Sequence, residues 1–189
     1  MIRPCQGTDL PRICEIINDA ATAYQGVIPD DCYHEPYMPM DELRREAAAM
    51  TFFGLEEDRR LIGVIGYQPI QDVTLVRHLY VQTDRQRRGV GSALLRHVIG
   101  HTDTPRLLVG TWAGAAWAIR FYHRHGFSLL PDGDLLLRTY WSIPDRQREA
   151  SVVLGREVKV AAPQGEHMAN RIRLSVPPTV DRSSATLYP

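Results

Sequence analysis

The sequence predicts one mixed α/β domain built on a single central sheet. Three observations carry that prediction. The chain has 189 residues, a length that suits one domain with one sizeable core. Strand-like apolar runs crowd the middle of the chain, and segments of helical period precede and follow them. After residue 81 helix and strand patterns alternate, which a sheet flanked by helices accommodates.

Residues 2–3 begin a first strand. Thr8 or Asp9 offers an N-cap, Pro11 sits in the first turn, and Leu10, Ile13, Ile16, Ile17, Ala20 and Tyr24 recur at helical spacing, so 10–24 reads as an amphipathic helix. The stretch GVIPDDCYHEPYMP, residues 26–39, is rich in Pro, Asp and aromatics and reads as a long loop; loops of that length are often functional. Asp41 is placed to cap a second helix over 42–50. FFGLEE and LIGVIGYQPI, joined by Asp58-Arg59-Arg60, form a hairpin, and VTLVRHLYV (73–81) a third strong strand. RQRRGVGSALLRHVI passes from loop to helix, LLVGTW (107–112) is a buried strand, and AAWAIRFYHRHG is a helix stopped by Gly126. Phe127–Leu130 and Leu135–Tyr140 are expected as short strands around a Pro-Asp-Gly turn, and SVVL (151–154) as the last strand. The domain is placed at 1–155. Residues 156–189, with Pro163, Gly165, Pro177-Pro178 and Ser183-Ser184, read as a weakly ordered tail.

Composition narrows the function. Lys plus Arg and Asp plus Glu both number 22, so no global field favours nucleic acid or an anionic membrane, and neither is expected as a partner. No run approaches the ~18 apolar residues of a membrane helix, and no long apolar stretch follows the N-terminus as in a secretory leader. Cys5, Cys14 and Cys32 are odd in number and lack CxxC spacing; they read as free thiols in a reducing, cytoplasmic setting, with no metal.

The stretch RQRRGVGSALL, residues 85–95, decides most of the rest. A dinucleotide fingerprint needs a third glycine, and Leu94 stands there; no acidic residue closes a second strand about 20 positions on. The P-loop pattern is absent too. RQRR as a nucleic-acid patch remains open, with a solvated loop as its bland counterpart. The other reading is a diphosphate cradle of a different kind. Gly89 and Gly91 let the backbone approach a ligand, and free N–H groups of a helix's first turn point outward at its positive end.

Gln86-Arg87-Arg88-Gly89-Val90-Gly91 fits the Q/R-x-x-G-x-G/A signature of the GCN5-related N-acetyltransferases, the GNAT family. The strand VRHLYV precedes it. Residues 118–127, AIRFYHRHGF, resemble the family's second motif, A-x-x-F-Y-x-x-x-G-F. The resemblance covers roughly residues 1–155. It extends to a bacterial branch of the family with YQGVIP and HEPYM before the sheet and TW, WAIRFY and YWSIP after it.

The resemblance implies the GNAT acyl-CoA N-acyltransferase fold, with the strands at 73–81 and 107–112 splayed around acetyl-CoA as cosubstrate. Leu79 and Val81 would pair with the pantetheine arm through their backbones, and the loop from Gln86 through Arg87, Arg88, Gly89, Val90, Gly91 and Ser92 would hold the pyrophosphate. It implies an N-acetyltransferase in which a primary amine attacks directly in a ternary complex. Tyr122 occupies the position of the general acid for the departing thiolate. The family's usual acidic position falls near Leu75, which cannot take a proton. His78, three residues later, is the candidate base; His34, Glu35 and a water chain are its rivals. Strand alternation puts His78 and Tyr80 on one face and Arg77 and Leu79 on the other, unless a bulge changes the parity. The family often has Asn where this chain has Ala115, so one coenzyme contact is missing or supplied elsewhere.

The acceptor, a small-molecule or peptide amine, is expected near Tyr33, His34 and Glu35, with Asp31 as a second carboxylate. A homodimer through the sheet edge is compatible by family analogy only. Two other functions stay open at this point: an acyl-CoA sensor without efficient catalysis, and a nucleic-acid binder using RQRR. His97 and His101 read as a surface pair without a third metal ligand. His123 and His125 sit at a helix end that favours positive charge, and Trp112 and Trp117 read as packing residues.

Overall fold

The computed structural model describes residues 1–158. Seven strands form one sheet in the order β1-β2-β3-β4-β5-β7-β6: β1 (Ile2–Pro4), β2 (Thr51–Glu57), β3 (Arg60–Ile70), β4 (Val73–Val81), β5 (Arg106–Trp112), β6 (Ser128–Leu129) and β7 (Ser151–Glu157). Every neighbouring pair is antiparallel except β4 and β5. Those two are joined by the crossover helix α3 (Val90–His101), as a parallel connection requires. The central strand β3 is buried at every position from Leu61 to Gly66, so it reads as a continuous apolar run because helices cover both of its faces.

On one face, Leu94, Leu95 and Val98 of α3 and Tyr122 of α4 (Ala116–Arg124) pack with Ile62, Ile65, Leu107 and Val109. On the other, Ile13, Ile16 and Ile17 of α1 (Leu10–Ala21) and Leu43 of α2 (Met40–Ala47) cover Phe52, Leu61 and Val64. The expected first helix continues through 22–24 as a single 3-10 turn. The second starts at Met40 with Pro39 as its N-cap, two residues earlier than an Asp41 cap implies.

Two expectations are corrected. Leu135–Tyr140 is not a strand; it lies in α5 (Gly133–Tyr140). A strand would place Leu135 and Leu137 on one face, yet Leu135 is exposed while Leu136 and Leu137 are both buried against Val73, Leu75, Leu108 and Val153. The Arg138 to Asp134 bond at 2.9 Å is the i,i+4 pairing of a helix. A further short helix, α6 (Asp145–Glu149), begins after Pro144. Arg156 and Glu157 belong to β7, which therefore crosses the expected boundary at 155; Val158 N–H still donates to Pro105 O at 2.8 Å. The rest of the expected tail lies outside the described residues.

Two departures from regular pairing shape the molecule. The parallel ladder between β4 and β5 runs only from Val73 and Arg106 to Val76 and Val109, while β5 stays paired with β7 to Trp112. Beyond Val76 the two strands separate, and one edge of residues 77–81 is left without a strand partner. Within the same segment Gly66 faces Arg77 and Val64 faces Tyr80, so Ile65 stands opposite both His78 and Leu79. This is a β-bulge, with His78 at φ 49°.

Candidate active site

Two cavities meet at the split. The first, about 700 Å³, runs along the open edge of β4 to the start of α3 and against α4. The second, about 410 Å³, lies between the loop before α2, the ends of β4 and β5, and the segment from α5 into α6. Val76, Arg77, His78, Tyr80, Gly110, Thr111 and Tyr24 border both.

The first cavity is a groove made largely of backbone. Leu79, Val81, Gln86, Arg87, Gly89, Val90, Gly91 and Ser92 line it; Arg88 does not and is exposed. The side chains of Leu79 and Val81 pack into the core beneath, which leaves their peptide groups as what they offer the groove. Gly89 caps α3 at φ 83°, and a Cβ there would meet nothing within 4 Å. Conformation, not crowding, is therefore what calls for glycine, since the left-handed region disfavours most side chains. Gly91 needs no such φ; a Cβ on it would only touch Val81 and Phe121 at ordinary distances. The first intrahelical bond runs from Ala93 N–H to Gly89 O at 2.9 Å, and the N–H groups of residues 87–92 have no acceptor among the described residues. An unpaired turn of amides at the positive end of a helix fits a diphosphate, so the groove suits a coenzyme carrying one. Gln86 Nε2 donates to Val81 O at 3.1 Å and ties the loop to the strand.

Tyr122 is buried in the wall of this groove. Burial, with Tyr24 nearby, pushes its hydroxyl well above the ordinary phenol range, so it holds its proton throughout the neutral range. Ser92 Oγ and His125 Nε2 lie 3.0 Å apart at the groove's end. The expectation of a positively charged His125 is reversed: burial first, then Arg96, Arg124 and Arg156, hold its pKa down.

The second cavity is made of side chains from distant parts of the chain. Asn18 of α1 clamps the loop by accepting from Met38 N–H at 2.8 Å and donating to Met38 O at 3.0 Å. Gly114 lets the loop reach the turn after β5, because a Cβ there would sit 2.5 Å from Val27 O. Trp112 Nε1 donates to Tyr37 Oη at 2.9 Å, and Tyr37 packs with Tyr24, Tyr33 and His34. Burial, reinforced by Tyr24 and Tyr37, raises Tyr80 well above the ordinary phenol value. Asp31 reaches across to Arg146 of α6 at 2.7 Å.

Of the three residues expected to contact the acceptor, His34 lines this cavity, whereas Tyr33 and Glu35 do not border it. Tyr33 donates to Glu35 at 3.3 Å on the outer side of the loop. Tyr37 of the same loop lines the cavity, as do Glu42, Glu46, Trp141 and Arg146, which were not singled out by sequence. Glu42 and Glu46 are four apart on α2, so a helical-face reading of that segment held the signal.

The bulge settles the parity question. Arg77 and His78 both turn to Glu46: Arg77 Nη2 donates to Oε1 at 3.1 Å, and His78 Nε2 is hydrogen-bonded to Oε2. Burial alone would raise the Glu46 pKa, but the hydrogen bond from His78 and the charges of Arg77 and Arg45 outweigh it and hold the carboxyl below its usual range. The His78 ring stacks on Phe52 with centroids 5.8 Å apart.

His97, half-buried, and His101, exposed, both lie against the ring of Phe53. No cluster of three or more metal-ligating side chains occurs among the described residues, and none of their helices is long and apolar enough to cross a membrane.

A model of the acetyltransferase (GNAT) family matches residues 11–127. UPF0157 protein YqkA of Bacillus subtilis (strain 168) is 31% identical over 109 residues, which are 55% of this chain and 32% of that protein; the chain spans about a third of that relative's length. Peptidyl-lysine N-acetyltransferase YiaC of Escherichia coli (strain K12) is 28% identical over 130 residues, 69% of this chain and 84% of that protein. Among solved structures, the PaiA N-acetyltransferase of Thermoplasma acidophilum in complex with coenzyme A superposes with a TM-score of 0.60 at 16% identity, covering 83% of this chain and 98% of that one. A likeness at that identity speaks for the fold.

Proposed function

The chain belongs to the acetyltransferase (GNAT) family; from that premise we propose that it is an acetyl-CoA-dependent N-acetyltransferase that moves the acetyl group directly onto a primary amine, with His78 as base and Tyr122 as acid. The observation that carries this reading is the junction of the two cavities. A coenzyme lying along the β4 edge and an amine entering from the α2 side reach each other at Tyr24, Val76, Arg77, His78, Tyr80, Gly110 and Thr111.

Acetyl-CoA supplies an acetyl group activated as a thioester. The chain's own residues divide the remaining work. Amides 87–92 hold the diphosphate, and the open edge of β4 aligns the arm of the coenzyme as an added strand would be aligned. His78 borders both cavities and accepts the amine's proton. Tyr122, kept protonated by burial, donates to the sulfur as it leaves. Direct transfer is supported by the thiols. Cys32 is the one cysteine that borders the acceptor cleft, it does not border the coenzyme groove, and burial and then Asp31 raise its pKa, which disfavours a thiolate relay.

The acceptor is an amine with a cationic end. Asp31 is paired with Arg146 and Glu46 with Arg77, which leaves the half-buried Glu42 in the cleft without a partner among the described residues. Aromatic rings of Tyr37, Trp112 and Trp141 wall the rest. A peptide lysine and a small diamine both meet this description; the relative named for peptidyl-lysine favours the first. The test is CoA release across a panel of amines, lysine peptides and N-terminal peptides, followed by initial velocities against both substrates. Intersecting lines support a ternary complex. Parallel lines would overturn direct transfer, and CoA binding without turnover on any amine would leave a sensor.

A further inference from the structure

We propose that Glu46 is the positioning residue of the acceptor site: delivered by α2, its carboxylate fixes the His78 ring in the one tautomer that leaves Nδ1 free to take the amine's proton. The inference rests on the reading of His78 as the base.

The argument runs through hydrogen-bond capacity. An ionised carboxylate only accepts, so the His78 nitrogen facing Glu46 must carry the ring proton. That nitrogen is Nε2, and the lone pair is left on Nδ1. Nδ1 has no partner among the described residues. The only buried, unpartnered side-chain nitrogen or oxygen among them is His97 Nε2, so solvent in the cleft reaches Nδ1 of His78.

The carboxylate is held from both sides. Arg77 occupies its second oxygen, and that keeps Glu46 from swinging into the cleft to pair with an incoming ammonium. The ring is held as well, by the bulged backbone beneath it and by the face of Phe52. The charged and titratable groups around His78 are Glu46, Glu42 and Arg45 from α2 and Arg77 and Tyr80 from β4; β2 contributes only the Phe52 ring.

In the transfer the amine nitrogen forms a bond to the acetyl carbon, the carbon–sulfur bond breaks, and the sulfur leaves with its electron pair. The amine's proton passes to Nδ1 and the sulfur takes the Tyr122 proton; exchange with solvent resets both groups. The imidazolium formed is stabilised by Glu46 through Nε2–H, while Glu46 itself stays unprotonated. The same division of labour operates wherever a buried carboxylate orients a catalytic histidine.

The experiment compares wild type, E46Q and H78N with saturating acetyl-CoA and an accepted amine, recording kcat and kcat/KM from about pH 5 to about pH 9, together with 15N shifts of the His78 ring. E46Q is expected to lower kcat about ten- to a hundredfold, to loosen the His78 ring into a mixture of tautomers in its 15N shifts, and to leave acetyl-CoA affinity unchanged, since Glu46 does not border the coenzyme groove. E46Q with the wild-type rate and the wild-type ring tautomer beside an inactive H78N overturns the role of Glu46 and spares that of His78. A fully active H78N overturns the base assignment itself. Should E46Q lose its fold, the wild-type ring decides alone: a proton resident on Nδ1 overturns the proposal.

Discussion

The groove along β4 and the cleft beneath α2 share Val76, Arg77, His78 and Tyr80, yet they are built from different material. The groove presents peptide groups: the open strand edge and six amides at the head of α3. Those peptide groups come from one contiguous stretch, 77–92, while α1, β5 and α4 supply the walls. The cleft presents side chains from α2, the loop before it, β4, β5 and α6, and its internal bonds span up to 115 residues, as between Asp31 and Arg146. A site made of backbone tolerates side-chain change and depends on conformation. A site made of side chains depends on identity and on the packing that brings the residues together. Substitutions in the cleft should therefore strike turnover, and those in the groove should strike coenzyme affinity.

The sharpest way to break that contrast is H78N. Asparagine tolerates the left-handed φ found there, so the backbone is preserved while the base is removed. We expect kcat to fall about 10²–10³-fold with acetyl-CoA affinity unchanged, measured by steady-state kinetics and calorimetry. Tyr122→Phe follows. Although the residue lines the groove, its hydroxyl acts on the sulfur, so kcat should drop roughly ten- to a hundredfold with little change in coenzyme Kd. In the wild type no alkaline limb from this phenol should appear below pH ~10, because burial moves its titration upward.

Gly89→Val probes the groove itself. Forcing a β-branched residue away from φ 83° costs about 1–2 kcal/mol and redirects the amides, so CoA affinity should fall about tenfold. Arg87→Asn, which also tolerates its φ of 60°, should cost less than about threefold, and less still in high salt. An arginine variant worse than the glycine variant would mean that charge, not backbone, carries diphosphate binding. The smallest effect is on stability. The folded pKa values of His97 and His125 are both depressed, mainly by burial, so the unfolded chain binds protons first as pH falls. Their contribution is complete above the unfolded value near ~6.5 and is lost as pH drops through the depressed folded values. The melting temperature should decline over that window, and a His97→Gln/His125→Gln variant should decline less.

Legibility followed the same division. The 73–81 strand was readable to the residue, because β-branched and aromatic residues crowd it and turn residues bound it. The turn from loop into helix at 86–92 was readable because Gly89 and the residues around it are local facts. The leucine run at 133–140 was misread, since consecutive leucines satisfy both helical and strand periods and only the packing of Leu136 and Leu137 against β7 selects the helix. Tyr33 and Glu35 were chosen from the right loop, but the direction each side chain takes depends on how Asn18 and Gly114 dock that loop.

By itself, then, the sequence determined the central sheet with its flanking helices, the glycine-capped turn into α3 and the helix that carries Tyr122, all of which depend on periodicity, turn chemistry and short-range spacing. Tertiary structure alone decided where β4 and β5 part, that a bulge turns Arg77 and His78 to the same carboxylate, and that Glu46, thirty-two positions from His78, is that carboxylate. The physical reason is range: backbone conformation is set by neighbours along the chain, whereas the partner of a half-buried histidine is set by which helix packs over it.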